Sequence, residues 1–400
     1  MKKMWQTKKL REVCELVNGR AYSKPELLAA GKYRVLRVGN FFTNDHWYYS
    51  DMELEEKKYC HTGDLLYAWS ASFGPRMWTG GKVIYHYHIW KVVHDSTQID
   101  QKFLFYFFQW DTEKIKEDQG TGTTMMHVSM GSMNERDIHL PPLPEQQRIV
   151  RLLDEAFQGL ATAKANAEKN LQNARALFES HLQSVFTQRD RGWVEKSVGE
   201  LVADGVLVKP FDGNHGEIHP KKSDYTESGV PFIMARDLKD GLVDTEHCIL
   251  ISRKLADSLR VGFAKDGDVL ISHKGTIGRS AIVSTDEDYI MLTPQVTGYR
   301  VKNSSKLFNR FIRYYFMSPG FQREMIACAA DGSTRAYIGI TKQLTLRFRF
   351  PPLAEQKRIA AKLDDLDPET QRLAYIYERK LAALAELKKS LLHQAFTGEL

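Results

Sequence analysis

The sequence predicts an α/β protein in which two small α/β domains alternate with two long helical segments. Three observations carry this. A stretch opening PPLPEQQRIVRLLDE and closing LFESHLQSVFT (141–187) recurs, without a gap and at an offset of 210, as PPLAEQKRIAAKLDD to LKKSLLHQAFT (351–397). The parts before each copy are themselves related, since GDLLYAWSASFG (63–74) echoes GDVLISHKGTIG (267–278). Short β-branched and aromatic runs between Gly- and Asp-rich turns read as strands in both parts. The repeat is far longer than the roughly 20–50 residues of a solenoid, so each unit is a domain plus a connector.

In chain order, YRVLRV, DLLYAW and GKVIYHYHIW supply strands to the first domain, and VPFIMA, DVLISH and RSAIV supply them to the second. KFLFYFFQW (102–110) and LFNRFIRYYFM (307–317) read as amphipathic helices packed on those sheets. A polar loop follows in each, GTGTTMMHVSM (120–130) opposite ADGSTRAYIGI (330–340). Paired prolines then stop the chain. Glu145-Gln146 and Glu355-Gln356 open a helix with negative charge at its N-terminal end, where the dipole favours it.

Both helices are expected to break, at Gly159 and at Asp367-Pro368, where Asp before Pro with Glu369 next makes a fresh helix start. The segments beyond, near 160–186 and 370–396, carry apolar residues three or four apart. They include Leu171, Ala174 and Leu177 or Phe178 in the first, and Leu381, Leu384, Leu387 and Leu391 in the second. Such a stripe needs a partner helix, and the other copy is available. The expected boundaries are 1–140, 141–187, 188–350 and 351–400.

Composition narrows the class. At 400 residues, 42% hydrophobic and 26% charged, the chain is an ordinary globular one of two or more domains. The basic start MKKMWQTKKLREV has no apolar run behind it, so no signal peptide is expected. No run approaches the roughly 18 apolar residues of a membrane span. The scattered Cys14, Cys60, Cys248 and Cys328 suit a reduced cytoplasm. Lys and Arg outnumber Asp and Glu by 19 to 17 in 1–140 and by 24 to 20 in 188–350, while the helical segments balance. The net charge of +6 thus lies in the two domains, a mild bias compatible with nucleic acid.

No catalytic assembly emerges. The paired prolines read LPPL and FPPL, unlike the (N/D)PP(Y/F) loop with which an adenine methyltransferase holds a flipped base. GPRMWTGGKV (74–83) has the wrong spacing for a phosphate loop, and Val83 follows Lys82 where Ser or Thr is needed. Glu55-Glu56-Lys57 reads as a solvated charge run. His86…His88 and His215…His219 each lack a third metal ligand nearby.

Hydrogen-bonding loops are better represented. His273, Lys274, Thr276 and Arg279 follow a strand directly, between glycines that allow close approach to phosphate. The matching first-domain loop offers Trp69, Ser70, Ser72 and Arg76. Thr121, Thr123 and Thr124, with Ser333, Thr334, Arg335 and Tyr337, form a second pair just before the helices. These fifteen residues are the candidate DNA contacts.

The paired PPLPEQQRI and PPLAEQKRI starts, the GDVLISHKGTIG loop, the terminal LKKSLLHQAFTGEL and the order of the four segments resemble the specificity subunit of type I restriction–modification enzymes. The resemblance covers essentially the whole chain. It implies two target-recognition domains, each reading half of a split DNA site. It also implies an antiparallel coiled coil with pseudo-twofold symmetry, which spaces the domains and docks two methyltransferase subunits. Restriction (motor) subunits join through the complex, S-adenosylmethionine belongs to the methyltransferase partner, and the chain itself is non-catalytic. Glu145, Gln146, Arg148, Leu171, Ala174, Leu177, Glu355, Gln356, Arg358, Leu381, Leu384 and Leu391 are the expected coiled-coil and partner-interface residues. The alternative is a coiled-coil scaffold that assembles proteins without binding DNA.

Overall fold

A computed structural model describes residues 5–42, 45–70, 74–119, 127–187, 192–215, 218–329 and 337–400. The chain forms two compact units, Met1–Glu168 with Arg379–Leu400, and Lys169–Glu378. Each unit therefore holds one α/β domain, the near half of one long helix and the far half of the other.

The helices are Leu143–Thr187 and Leu353–Thr397, 45 residues each. Neither breaks where the sequence suggested, because both Gly159 and Pro368 lie inside a continuous helix. A Cβ on Gly159 would meet nothing within 4 Å, so the glycine faces open space and costs the helix only about 1 kcal/mol. Pro368 removes one backbone donor, at a cost of about 3 kcal/mol. Asp367 is turned toward Arg313 instead of capping a new helix. Packing of the apolar stripe outweighs the local signals.

That stripe keeps a seven-residue rhythm. Ala167, Ala174, Phe178 and Leu182 are buried and Leu171 half-buried, while on the second helix Leu363 and Thr370 are buried and Leu381, Leu384 and Leu391 half-buried. Leu177 lies off the stripe and is 50% exposed, so Phe178 takes the inward position.

In the first domain, one sheet runs Cys14–Asn18, Ile89–His94, Leu65–Ala68, Gly74–Met77, with every neighbouring pair antiparallel. A second sheet runs Tyr48–Ser50, Tyr33–Leu36, Val83–Tyr85, Tyr59–Cys60, and its central pair is parallel. The second domain keeps this plan with added edges. Its larger sheet runs Phe211–Asp212, Val296–Tyr299, Val269–Ser272, Ser280–Ile282, Leu242–Val243, Leu238–Lys239. Its other sheet again has one parallel pair, Val230–Ile233 with Ile290–Leu292.

Each domain helix packs on the end of the other repeat's long helix. Phe103 and Phe107, on Gln101–Gln119, meet Phe396 at 5.1 and 5.8 Å between ring centroids. Phe311 and Tyr315, on Asn309–Met317, meet Phe186 at 5.4 and 5.5 Å. Phe186 and Phe396 are equivalent in the duplication. Within each unit, the start of one long helix thus shares a core with the end of the other, and the paired segments run antiparallel.

Two polar joints fasten each domain to the helix that follows it. Gln146 accepts from the Asp100 amide at 2.8 Å and donates to the carbonyls of Gln98 and Pro141 at 3.0 and 2.8 Å. Gln356 accepts from the Phe308 amide at 3.0 Å and donates to Lys306 and Pro351 at 2.9 and 2.8 Å. A helical turn or two on, Asp154 pairs with Lys102 and Tyr106, and Asp364 with Arg310 and Tyr314.

Candidate nucleic-acid interface

In the second domain, strand Val269–Ser272 runs into a tight turn and returns as Ser280–Ile282. Gly275 and Gly278 take φ of 79° and 91°, in the left-handed region that glycine tolerates best. The Gly278 amide donates to the Ser272 carbonyl at 2.8 Å and the Arg279 amide to Ser272 Oγ at 2.9 Å. Gln322 donates to the Gly278 carbonyl at 2.9 Å, anchoring the turn on a neighbouring helix. This rigid base presents Lys274, Thr276 and Arg279 to solvent. Tyr337, 41% exposed, pairs with Lys274 across an isolated antiparallel bridge, with the ammonium 5.8 Å from its ring.

His273 does not belong with them. It is fully buried, and its Nδ1 lies 2.7 Å from Thr297 Oγ1. Burial lowers its pKa to about 4, so it is neutral near pH 7. It supports the turn from below, since its carbonyl accepts from the Ile338 amide at 3.1 Å.

The first domain repeats the arrangement. Trp69 donates through Nε1 to the Tyr87 carbonyl at 2.8 Å, and Ser70 bridges to His127. Ser70 is only 6% exposed, so its hydroxyl has little access to solvent. Arg76 is exposed on strand Gly74–Met77, with its guanidinium donating to the Phe41 carbonyl. Ser72, Thr121, Thr123, Thr124, Ser333, Thr334 and Arg335 lie outside the described residues.

On the helices, Glu145 pairs with Arg148 at 2.8 Å and Glu355 with Arg358 at 2.6 Å, both one turn apart at the surface. Gln146 and Gln356 are fully buried, so they are joints and not docking groups. Arg175 Nη2 lies 2.7 Å from Glu378 Oε1, linking the two helices in the second unit. Among the described residues, no three metal-ligating side chains cluster, and no helix is long and apolar enough to cross a membrane.

Two α/β domains of one plan, each strapped to antiparallel helix segments, and in the second a solvent-facing turn bearing Lys274, Thr276 and Arg279, define a tandem domain–helix protein. A family model for the type I restriction modification DNA specificity domain matches twice, over residues 2–171 and 205–377. The chain belongs to that family, the specificity subunits of type I restriction–modification systems. It is 21% identical to the Type I restriction enzyme EcoBI specificity subunit of Escherichia coli, over 99% of this chain and 86% of that one. It is 24% identical to the MjaVIII specificity subunit of Methanocaldococcus jannaschii, over 84% and 79%. Among solved structures, a chain from work on complex assembly and conformational transition of the type I R-M system matches with a TM-score of 0.76 at 20% identity, over 100% of this chain and 99% of that one. The HsdS subunit from Thermoanaerobacter tengcongensis matches with a TM-score of 0.59, also at 20% identity, over 100% and 98%. These likenesses establish the fold.

Proposed function

We propose that this chain is the sequence-reading subunit of a type I restriction–modification complex, and that each α/β domain reads one half of a bipartite site in duplex DNA. The observation that carries this is the double match of the specificity-domain family, one copy per α/β domain. It agrees with the exposed Lys274, Thr276, Arg279 turn, which can neutralise phosphate or reach base edges. The chain selects the DNA. Methyl transfer belongs to methyltransferase partners that bind S-adenosylmethionine, and cleavage to restriction (motor) subunits that join through the complex, in the cytoplasm.

Two methyltransferase subunits dock by pseudo-twofold symmetry on the helix faces around Glu145–Arg148 and Glu355–Arg358, and the helix pair sets the spacing between half-sites. The four-part domain division at 140/141, 187/188 and 350/351 belongs to the same reading. Methylome sequencing of cells expressing the chain with its methyltransferase tests it. Methylation confined to one bipartite motif is expected, and unselective or absent methylation would refute sequence reading by this chain. Native mass spectrometry that saturates at one methyltransferase per chain would refute the twofold docking.

A further inference from the structure

The turn His86-Tyr87-His88 joins strands Val83–Tyr85 and Ile89–His94 beside Trp69. Ring centroids lie 4.0 Å apart for Tyr87 and His88, 4.9 Å for Trp69 and His88, and 6.1 Å for Trp69 and His127. The cluster is rooted in the core, because Trp69 stacks on Trp90 at 6.0 Å and Trp90 on Tyr67 at 5.8 Å. At its outer edge Tyr87 is 38% exposed and His127 is exposed. Rings fixed in this way lose little rotamer freedom on binding and keep their polar atoms at the surface.

The second domain makes the same backbone crossing with other side chains. The Trp69 amide donates to the His88 carbonyl and the Val128 amide to the Trp69 carbonyl, both at 3.1 Å. Correspondingly, the His273 amide donates to the Gln295 carbonyl at 2.9 Å and the Ile338 amide to the His273 carbonyl at 3.1 Å. The bridge Ser70–His127 corresponds to Lys274–Tyr337. Lys274, Gln295 and Tyr337, all exposed, therefore occupy the places of Ser70, His88 and His127. The first domain has neither Lys nor Arg at these positions. Burial is the first cause of a lowered pKa at both His86, down to about 4, and His88, and the nearby Arg37 adds to it. A neutral imidazole keeps one donor and one acceptor nitrogen.

We propose that Tyr87, His88 and His127 contact base edges for the first domain, and Lys274, Gln295 and Tyr337 for the second, so that one backbone crossing bearing two side-chain sets makes the half-sites differ. This rests on the DNA-specificity reading above. Hydroxyl and ring nitrogens hydrogen-bond to bases without neutralising phosphate, whereas Lys274 reads guanine or pairs with phosphate, and Gln295 suits adenine.

The test uses the chain complexed with its methyltransferase and a library of duplex sites. Tyr87→Phe and His127→Ala are each expected to lower preference at a position of the first half-site by about 5- to 150-fold. The second half-site should stay unchanged in both, and the salt dependence should stay unchanged in Tyr87→Phe. Gln295→Ala should act only on the second half-site, and Lys274→Ala should also flatten the slope of log affinity against log salt by about 0.9. Unchanged preference at both half-sites in Tyr87→Phe, His127→Ala and Gln295→Ala would overturn the assignment. So would lost preference that tracks a lowered melting temperature in every variant, since that marks a purely structural role. A native complex that selects no bipartite site would overturn the DNA reading itself, and this assignment with it.

Discussion

Arg313 Nη2 lies 3.2 Å from Asp367 Oδ2, one residue before a proline that the second long helix runs through. The pair is nearly dry, with side chains 9% and 13% exposed. The guanidinium also packs over the Tyr314 ring at 4.7 Å and against Gly241, where an added Cβ would fall 2.0 Å from Arg313 Cζ. Asp367→Ala should therefore destabilise the second unit by about 3–5 kcal/mol, because it leaves a buried guanidinium uncompensated. Replacing both members, Arg313→Met with Asp367→Leu, should recover most of that. Urea unfolding of both variants measures it, and a double variant no more stable than Asp367→Ala would disprove the coupling.

Arg279 tests the assignment of loops to half-sites. Its side chain is exposed at the end of a turn anchored by Ser272 and Gln322. Arg279→Ala should weaken or relax only the half-site read by the second domain, by about 1–3 kcal/mol if it holds a guanine. A changed preference in the half-site assigned to residues 1–140 would sink the assignment.

Acid should loosen the second domain through His273. Its folded pKa of about 4 lies below the ordinary value of 6.5, so the unfolded chain binds the extra proton first. The contribution is whole above about pH 6.5 and declines as pH falls toward 4, by about 3 kcal/mol in all. His273→Asn should be less stable at pH 7 yet lose less on acidification. Denaturant midpoints of both proteins from pH 7 to 4.5 give the comparison, and parallel curves would contradict it.

The helices should act as a ruler. At about 1.5 Å per residue, each 45-residue helix is about 68 Å long. One heptad inserted after Glu168 and another after Glu378 keep the apolar stripe in register. They add about 10 Å, or about three base pairs. Methylome sequencing should find a longer spacer between two unchanged half-sites, and an active variant with the original spacer would reject the idea.

The duplication, the sheet-and-helix plan and the exposed turn at 274–279 were legible because they rest on local pattern. The unbroken helices were not. Gly159 and Asp367-Pro368 are valid stop signals that lose to a stripe continuing on both sides, which is a property of the pair and not of either segment. His273, Ser70, Gln146 and Gln356 read as reachable polar groups because a polar residue in a loop or first turn is usually solvated. Their burial depends on partners far away in sequence, as with Thr297 beneath His273. The Tyr87 cluster went unread for a related reason. The sequence offered His86 and His88 only as a pair short of a third metal ligand, whereas their setting comes from Trp69, which packs against both His88 and His127.

Gln146 and Gln356 bond only to main-chain atoms, three each, and any residue other than proline supplies those atoms whatever its side chain. A joint of that kind is blind to the sequence it holds. The domain bodies can drift without losing this joint, provided the main chain arrives in the same place and the side chains that reach Asp154 and Asp364 are kept. This explains in physical terms how one chain keeps two helix starts with matching hydrogen bonds while the domains ahead of them have diverged so far. New specificities can then arise by substitution in the domains, with the scaffold left untouched.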